Sequence, residues 1–514
     1  MSQEKSISSL QDIYMTIEEE LRSVKTLIGY DKDKKAELEK HHKKQQEFKL
    51  LATDGCEESR EYILNWIFGI LGIMKDKVNP FNIDSIIYQY HIDYFHNIYS
   101  HDDRAFIKTP VDKEIEQYFQ RYSIKHDDSF EKKIKKLGQI IYQELYGYSI
   151  LDELVFESGL NEVACNRFDY IWIQYKGIKR RIPNPLFRFY NEDFYRRVIE
   201  NRITASAREE MNAGEPFINC TLKNGFRVTA ARPPLSRYYV VNVRLFTYKE
   251  TAAEQRNRFM EDKMLNLIKI LAKKGRRNIA IIGEQGSGKT TAADELIIKN
   301  LDDHLSIGLA EYTHELDISG NHPEKNVVEL QYGKEFQPSN ITEMFFRFNR
   351  DIIIYGEVRS PMEAFEMIKA MLRQSRGSLF TFHSSSVRRM IHDLRQLLMQ
   401  TQYYTDFREA QFDVADAVDI VIQINLDRLT GVRYVSRISE IIADEQGMSF
   451  SVRDLFVYDK ENKKYLVNRD GPSGALIKSC LEYEMTTGEA TMLFEMFSIK
   501  QEEKNVFEYM QEGG

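Results

Sequence analysis

The sequence predicts an α/β fold in which a domain of buried parallel strands follows a smaller α/β domain and a mainly helical accessory region. Three observations carry this. Residues 278–282 (NIAII) form a buried-strand pattern that runs into a glycine-rich loop and then into the helix-like TAADELIIKN. Residues 352–355 (IIIY) and 378–382 (SLFTF) are further short apolar runs of the kind found in sheets covered on both faces. Residues 170–175 (YIWIQY), the turn Lys176-Gly177 and residues 178–182 read as a hairpin that belongs to a separate, earlier unit. With 514 residues, 42% of them hydrophobic and 12% aromatic, the chain can build several cores.

Composition narrows the classes of function. The 71 Lys and Arg against 79 Asp and Glu give a net charge of -8, which opposes coating of nucleic acid, because neutralising phosphates needs a clustered basic excess. No direct nucleic-acid contact is expected. Cys56, Cys165, Cys220 and Cys480 lie far apart with no CxxC pair, so neither a disulfide framework nor a zinc site is suggested and a reducing cytoplasm fits. The start, MSQEKSISSL, lacks a secretory pattern. Residues 62–74 (YILNWIFGILGIM) are apolar but shorter than the roughly 18–20 residues that span a bilayer. A buried core helix is the preferred reading there, an interfacial or partner-binding helix the alternative.

Along the chain, Leu10, Ile13, Tyr14, Ile17, Leu21, Val24, Leu27 and Ile28 recur at helical steps, and residues 31–48 form a mixed-sign charge run. Residues 1–130 are therefore read as the accessory helical region. A helix in EKKIKKLGQIIYQELYG, with Ile134, Leu137, Ile141 and Leu145 on one face, opens an α/β domain over 131–250. Residues 226–230 and 239–246 are its further strands, split by Pro233-Pro234. Polar residues 251–257 suit a linker, 258–457 form the parallel-sheet domain, and 458–514 are a C-terminal extension.

The chemistry concentrates after residue 282. Gly283, Glu284, Gln285, Gly286, Ser287, Gly288, Lys289 and Thr290, followed by Thr291, fit G-x-x-x-x-G-K-[ST] between strand and helix, the context this phosphate loop demands. Glycines let backbone N–H groups face phosphates, Lys289 reaches the terminal phosphates of ATP, and Thr290 holds Mg²⁺. The strand at 352–355 ends at Gly356-Glu357, and carboxyl ends of such strands face the ligand crevice, so Glu357 is placed to orient and deprotonate an attacking water. The strand at 378–382 delivers His383 to the same edge, either to sense the γ-phosphate or relay between subunits, or as a structural residue.

The order of these motifs resembles the traffic ATPases of type II secretion, type IV pili and type IV secretion, in particular the CpaF-like branch of Tad pili. The resemblance rests on GEQGSGKTT (283–291), AEYTHEL (310–316) at the acidic box, DIIIYGEVRSPMEA (351–364) at the Walker B region and GSLFTFH (377–383) at the His box. Upstream, YSILDELVFESGLNEVACN, GEPFINCTLKNGFRVTAARPPL and VNVRLF look like that family's N-terminal nucleotide-covering domain, and the likeness spans roughly 131–457. It implies a RecA-like motor in a homo-hexamer, Glu311 as the acidic-box carboxylate near the metal, Glu357 as the catalytic glutamate and His383 as the His-box residue. Arg227 and Arg244 match arginines that approach the phosphates. It also implies an inner-membrane platform protein as partner and a peripheral place at the inner face of the cytoplasmic membrane. Residues 414–424 and 435–442 resemble the motor's last strands.

The chain departs from the family pattern at Tyr312, where the acidic box usually carries Asp, at 373–377 (RQSRG) before the His box, and at Asn349, where a second arginine is customary beside Arg347. Two alternatives to an ATP-driven motor for pilus assembly or secretion therefore stay open: an ATP-dependent scaffold with weak hydrolysis, and a conjugation-associated type IV secretion motor. A P-loop kinase fits least, because Glu357 suits water activation. Lys176, Lys179, Arg180, Arg181 and Arg188 form the best basic cluster, read as a solvated hairpin rim or a face for an anionic lipid or partner.

Overall fold

The computed structural model describes residues 51, 56–73, 129–155, 160–175, 178–182, 188–189, 191–206, 210–222, 225–245, 260–333, 335–373, 376–428, 432–444, 446 and 448–497. The helical stripe at 10–28, the charge run at 31–48, the Lys176-Gly177 turn and the linker at 251–257 lie outside them. The chain divides into two compact units, 1–249 with 428–431, and 250–427 with 432–514.

In the first unit, helix α1 (Glu57–Ile73) packs on α2 (Phe130–Leu145). Ile63, Ile67 and Leu71 are buried on α1, and a Cβ at Gly138 of α2 would lie 2.4 Å from the Phe68 ring, so the glycine lets the helices close. The apolar segment at 62–74 thus covers a neighbouring helix over its described part, and among the described residues no helix is long and apolar enough to cross a membrane. Short helix α3 (Leu151–Val155) leads into strands β1 (Glu162–Arg167), β2 (Tyr170–Tyr175) and β3 (Ile178–Arg181). After α4 (Glu192–Val198), whose helical path continues to Ser206, come β4 (Phe217–Thr221), β5 (Arg227–Ala231) and β6 (Val240–Arg244). The sheet order is β3-β2-β1-β6-β5-β4, antiparallel where paired. β1 and β4 carry no clean alternation in sequence (EVACNR, FINCT) and were not anticipated as strands.

The second unit opens with α5 (Asp262–Lys269) and is built on a sheet of order β15-β14-β13-β12-β7-β11-β10-β8-β9. Its parallel part comprises β12 (Ile420–Leu426), β7 (Ile279–Gly283), β11 (Leu379–Phe382), β10 (Ile352–Val358), β8 (Ser306–Glu311) and β9 (Asn326–Gln331). Alternate residues of one strand serve opposite cores: Ile279 and Ile281 join one, Ala280 and Ile282 the other, and β10 divides the same way between Ile352 with Ile354 and Ile353 with Tyr355. Continuous apolar runs result because both faces are covered. Helices α6 (Lys289–Ala292, with helical turns continuing to Asn300), α7 (Ile318–Asn321), α8 (Pro338–Arg347), α9 (Pro361–Arg373), α10 (Val387–Gln400) and α11 (Phe407–Ala417) connect the strands.

Two sequence expectations change here. Residues 414–417 close α11 rather than begin a strand; β12 starts at Ile420 after Asp419, which accepts the Asn278 backbone N–H at 2.8 Å. The extension expected from 458 onward is not separate over its described part. Antiparallel strands β13 (Arg433–Asp444), β14 (Ser449–Asp459) and β15 (Lys464–Val467) continue the sheet, and α12 (Gly474–Leu481) and α13 (Thr487–Met496) bury Ile477, Cys480, Leu493 and Phe494 in the same core as β7. Their apolar positions have no closed face of their own, so they pack onto this sheet.

Candidate nucleotide site

Strands β7, β8, β10 and β11 run parallel, so their carboxyl ends lie on one edge of the sheet, where open α/β sheets bind ligands. Gly283 to Gly288 turn off β7. Gly286 and Gly288 have φ of 77° and 94°, conformations that a side chain would strain, and a Cβ at Gly283 would lie 2.3 Å from the Ile424 carbonyl oxygen. Lys289 is 7% exposed, and its ammonium donates to the carbonyls of Gly283 (3.2 Å) and Glu284 (3.1 Å). The loop is thereby stapled by the lysine that its motif supplies.

His383, just beyond β11, joins this lysine to the acidic strand. Its Nδ1 is 3.2 Å from Lys289 Nζ and its Nε2 is 2.6 Å from Glu357 Oε1 at the end of β10. An ammonium can only donate, so the imidazole accepts at Nδ1 and carries its proton on Nε2 toward the carboxylate. Glu357 is also ion-paired with Arg359, two residues on. Burial pushes the Glu357 carboxyl up, but the hydrogen bonds from His383 and Arg359 outweigh it and hold the group at about 2. It is a carboxylate at any working pH. Thr381 Oγ1 donates to the Gly356 carbonyl at 2.6 Å, tying β11 to β10 beside these two groups.

At the end of β8, Glu311 is 2% exposed and accepts the backbone N–H groups of Glu315 (3.2 and 3.1 Å) and Leu316 (3.1 Å). Gly356 makes room for it, since a Cβ there would lie 2.5 Å from Glu311 Oε1. The carboxylate that meets the phosphate-loop threonine is Glu315, which accepts from Thr290 Oγ1 at 3.0 Å. Tyr312 is exposed, its ring 6.2 Å from that of Tyr332.

The structure therefore brings Lys289, Thr290, Glu357 and His383 to one edge, with Glu311 folding the adjoining turn. Arg227 and Arg244 stand opposite each other on β5 and β6 of the first unit, and Arg244 Nε is 4.0 Å from Glu162 Oε2. In the basic cluster, Lys179 lies 3.2 Å from Glu162 and Arg181 stacks 4.4 Å over Tyr170, so these members have local partners. Three groups at this sheet edge were not anticipated: Glu315, Arg359 and Arg433, whose Nε donates to the Gly286 carbonyl at 3.1 Å. For the first two the only signal was proximity in sequence to Glu311 and Glu357; Arg433 arrives from β13 with no local signal.

Residues 151–451 match the family described as "Type II/IV secretion system protein". The chain belongs to that family. It is 30% identical over 155 residues to the type IV secretion system protein VirB11 of Bartonella henselae, a match covering 29% of this chain and 42% of the relative. A similar match, 30% over 153 residues, joins it to the conjugal transfer protein TrbB of Rhizobium radiobacter, over 29% of this chain and 44% of that one. The chain thus spans less than half the length of these curated relatives. The solved structure of the Legionella pneumophila ATPase DotB overlaps 70% of this chain and 93% of its own at 15% identity and a TM-score of 0.39. The residues matched to the family take in both units, from α3 of the first to β14 of the second.

Proposed function

We propose that this family member is an ATP-hydrolysing motor that drives pilus assembly or protein secretion across a bacterial inner membrane. The observation that carries the reading is the contact chain Lys289–His383–Glu357, which puts a phosphate-binding lysine and an ionised carboxylate on one sheet edge. The loop suits a phosphate: Gly286 and Gly288 free its backbone, and Ser287 Oγ is a buried hydroxyl with no partner among the described residues. Thr290 and Glu315 offer the oxygen donors that Mg²⁺ prefers. When bound, the cation neutralises charge on the phosphates.

In this reading Lys289 and the loop N–H groups of 283–291 hold the phosphates, and Glu357 orients water and takes its proton. His383 links the phosphate lysine to that base, so displacement at one end is felt at the other. Arg227 and Arg244 supply positive charge during turnover. A homo-hexamer of the CpaF-like type, set against an inner-membrane platform protein at the cytoplasmic face, is the assembly proposed. The likeness to TrbB favours conjugation as the second setting for the same motor. Tyr312 in place of an acid favours the scaffold with weak hydrolysis.

The test is steady-state phosphate release from MgATP across protein concentrations that span ring assembly. Release should rise with assembly and vanish in Lys289→Ala. Nucleotide binding without release in the assembled state would overturn the motor and leave the scaffold.

The pH profile adds a second expectation. Because Glu357 is held at about 2, the wild-type rate should show no acid limb from this group across the neutral range. Arg359→Ala removes a cation that favours the charged form, so the carboxyl rises by about 1–3 units and an acid limb enters between about pH 3 and 5. Stability follows the same sign. A carboxyl depressed from 4.5 to about 2 stabilises the fold fully above 4.5, and that contribution is lost as pH falls through about 2. A pH–rate series on both proteins checks the shift; superimposable profiles would remove Arg359 from control of the base.

A further inference from the structure

We propose that Arg433 is a positioning residue for the phosphate loop, clamping it from the β12–β13 hairpin in the arrangement that receives a nucleotide's phosphates. The inference rests on the reading that residues 283–291 hold those phosphates. It gives a task to a side chain that reaches the loop from 147 residues further along the chain.

The hairpin meets the loop at two points. β12 runs beside β7 with Ile424 opposite Gly283, and the Ile424 carbonyl sits so close that no side chain fits at Gly283. β13 then returns along β12 with Arg433 opposite Leu426, after a turn in which the Asp427 N–H donates to the Val432 carbonyl at 2.8 Å. From there the Arg433 Nε–H donates to the Gly286 carbonyl at 3.1 Å. The first and fourth residues of the loop are thus held by one paired element, and a side chain carried on a strand is placed more tightly than one on a loop.

Such a clamp matters because the loop has little to hold it in shape. Gly286 sits at a φ of 77°, a conformation bought with the backbone freedom of glycine. From its other contact side the loop is gripped by Lys289, at the Gly283 and Glu284 carbonyls. A phosphate competes for that ammonium, since an ionised acceptor is the stronger partner. It cannot compete for the Gly286 carbonyl, because both are acceptors. A guanidinium carries five N–H donors, so the Arg433 Nε stays on Gly286 even where the others turn to an anion.

The clamp acts on the fraction of loops ready to bind. Apparent affinity falls in proportion to that fraction, and saturating nucleotide restores it once bound phosphates hold the loop themselves. Loss of the clamp therefore raises KM and spares kcat, the pattern of lost uniform binding.

The experiment uses the full chain, with ADP as the probe in titrations and MgATP in steady-state phosphate release. Arg433→Met keeps the length and removes the donor; it should weaken ADP by about 2–10-fold, the worth of one hydrogen bond, and raise KM for ATP by the same factor at an unchanged kcat. Arg433→Gln keeps an N–H donor without the charge and should recover most of the loss. The unfolding midpoint without nucleotide should stay that of the wild type, since Arg433 is half-buried at the start of its strand. Wild-type ADP affinity in Arg433→Met, beside a weakened Lys289→Ala, would overturn the clamp and leave the nucleotide site standing. So would an Arg433→Gln protein as weak as Arg433→Met, because charge rather than the hydrogen bond would then be the cause, or a joint fall of kcat and unfolding midpoint, as a structural defect gives. Failure of the wild type to bind ADP, or binding indifferent to Lys289→Ala, would overturn the nucleotide site and this inference with it.

Discussion

Glu357→Gln should retain ATP and slow phosphate release by about 10²–10⁴-fold, the range that general-base catalysis contributes. The substitution keeps size and shape but exchanges a proton acceptor for an amide. Nothing that binds phosphate is touched, since Lys289 takes its backbone contacts from Gly283 and Glu284 rather than from the carboxylate. The carboxylate held at about 2 is a weak base in isolation, and its value here is placement: it is fully ionised and held between His383 and Arg359 at the end of β10. Binding of a fluorescent ATP analogue, measured beside single-turnover release, separates affinity from chemistry. A loss of less than about tenfold would mean that Glu357 only orients and that the proton leaves by another route. A loss of binding instead would show that the His383 link to Lys289 matters more to the phosphate than to the water.

The parts of this site that could be read from sequence are those whose geometry is local. The loop 283–291 announces itself because its function lies in backbone conformation, and backbone conformation shows as glycine spacing. Strands β7, β10 and β11 are legible because both faces are buried and apolar residues dominate them. Glu315 was illegible for the opposite reason. Its place depends on Glu311 bending the turn beneath it, and that depends on Gly356 from another strand giving Glu311 room. The misread at 414–417 has a similar source: the valine-rich run continues from α11 into β12, and the break comes from Asp419 meeting Asn278 and Arg376, which lie 141 and 43 residues away. The C-terminal helices looked like an appendage because their apolar residues have no partner nearby in sequence; the partner is the core around β7.

That attachment is anchored by polar contacts too, Ser473 with Glu440 of β13 and Arg277 with α12, and removing the second is the largest stability effect the fold predicts. Arg277, two residues before β7, is 1% exposed and among the largest fully buried side chains described. Its guanidinium donates to the Gly275 carbonyl at 2.6 Å and to Ser479 on α12, at 2.5 Å to the hydroxyl and 3.4 Å to the carbonyl. It also lies 3.6 Å from Asp419 and 5.2 Å over the Tyr483 ring. Arg277→Ala leaves a cavity and a set of acceptors with no donor, and breaking a buried ionic contact of this kind costs about 3–5 kcal/mol. The lower end is expected because Arg376 stays on Asp419 at 2.7 Å. Arg277→Lys should rescue little, since an ammonium cannot reproduce the fork that reaches Gly275, Ser479 and Asp419 together. Urea unfolding of the wild type and both variants measures the loss. A change below about 1 kcal/mol would mean that apolar burial of Ile477, Cys480 and Leu493 holds α12 and α13 without the anchor. A full loss would place the stability of the C-terminal helices and the start of the strand that leads into the phosphate loop in one cooperative unit.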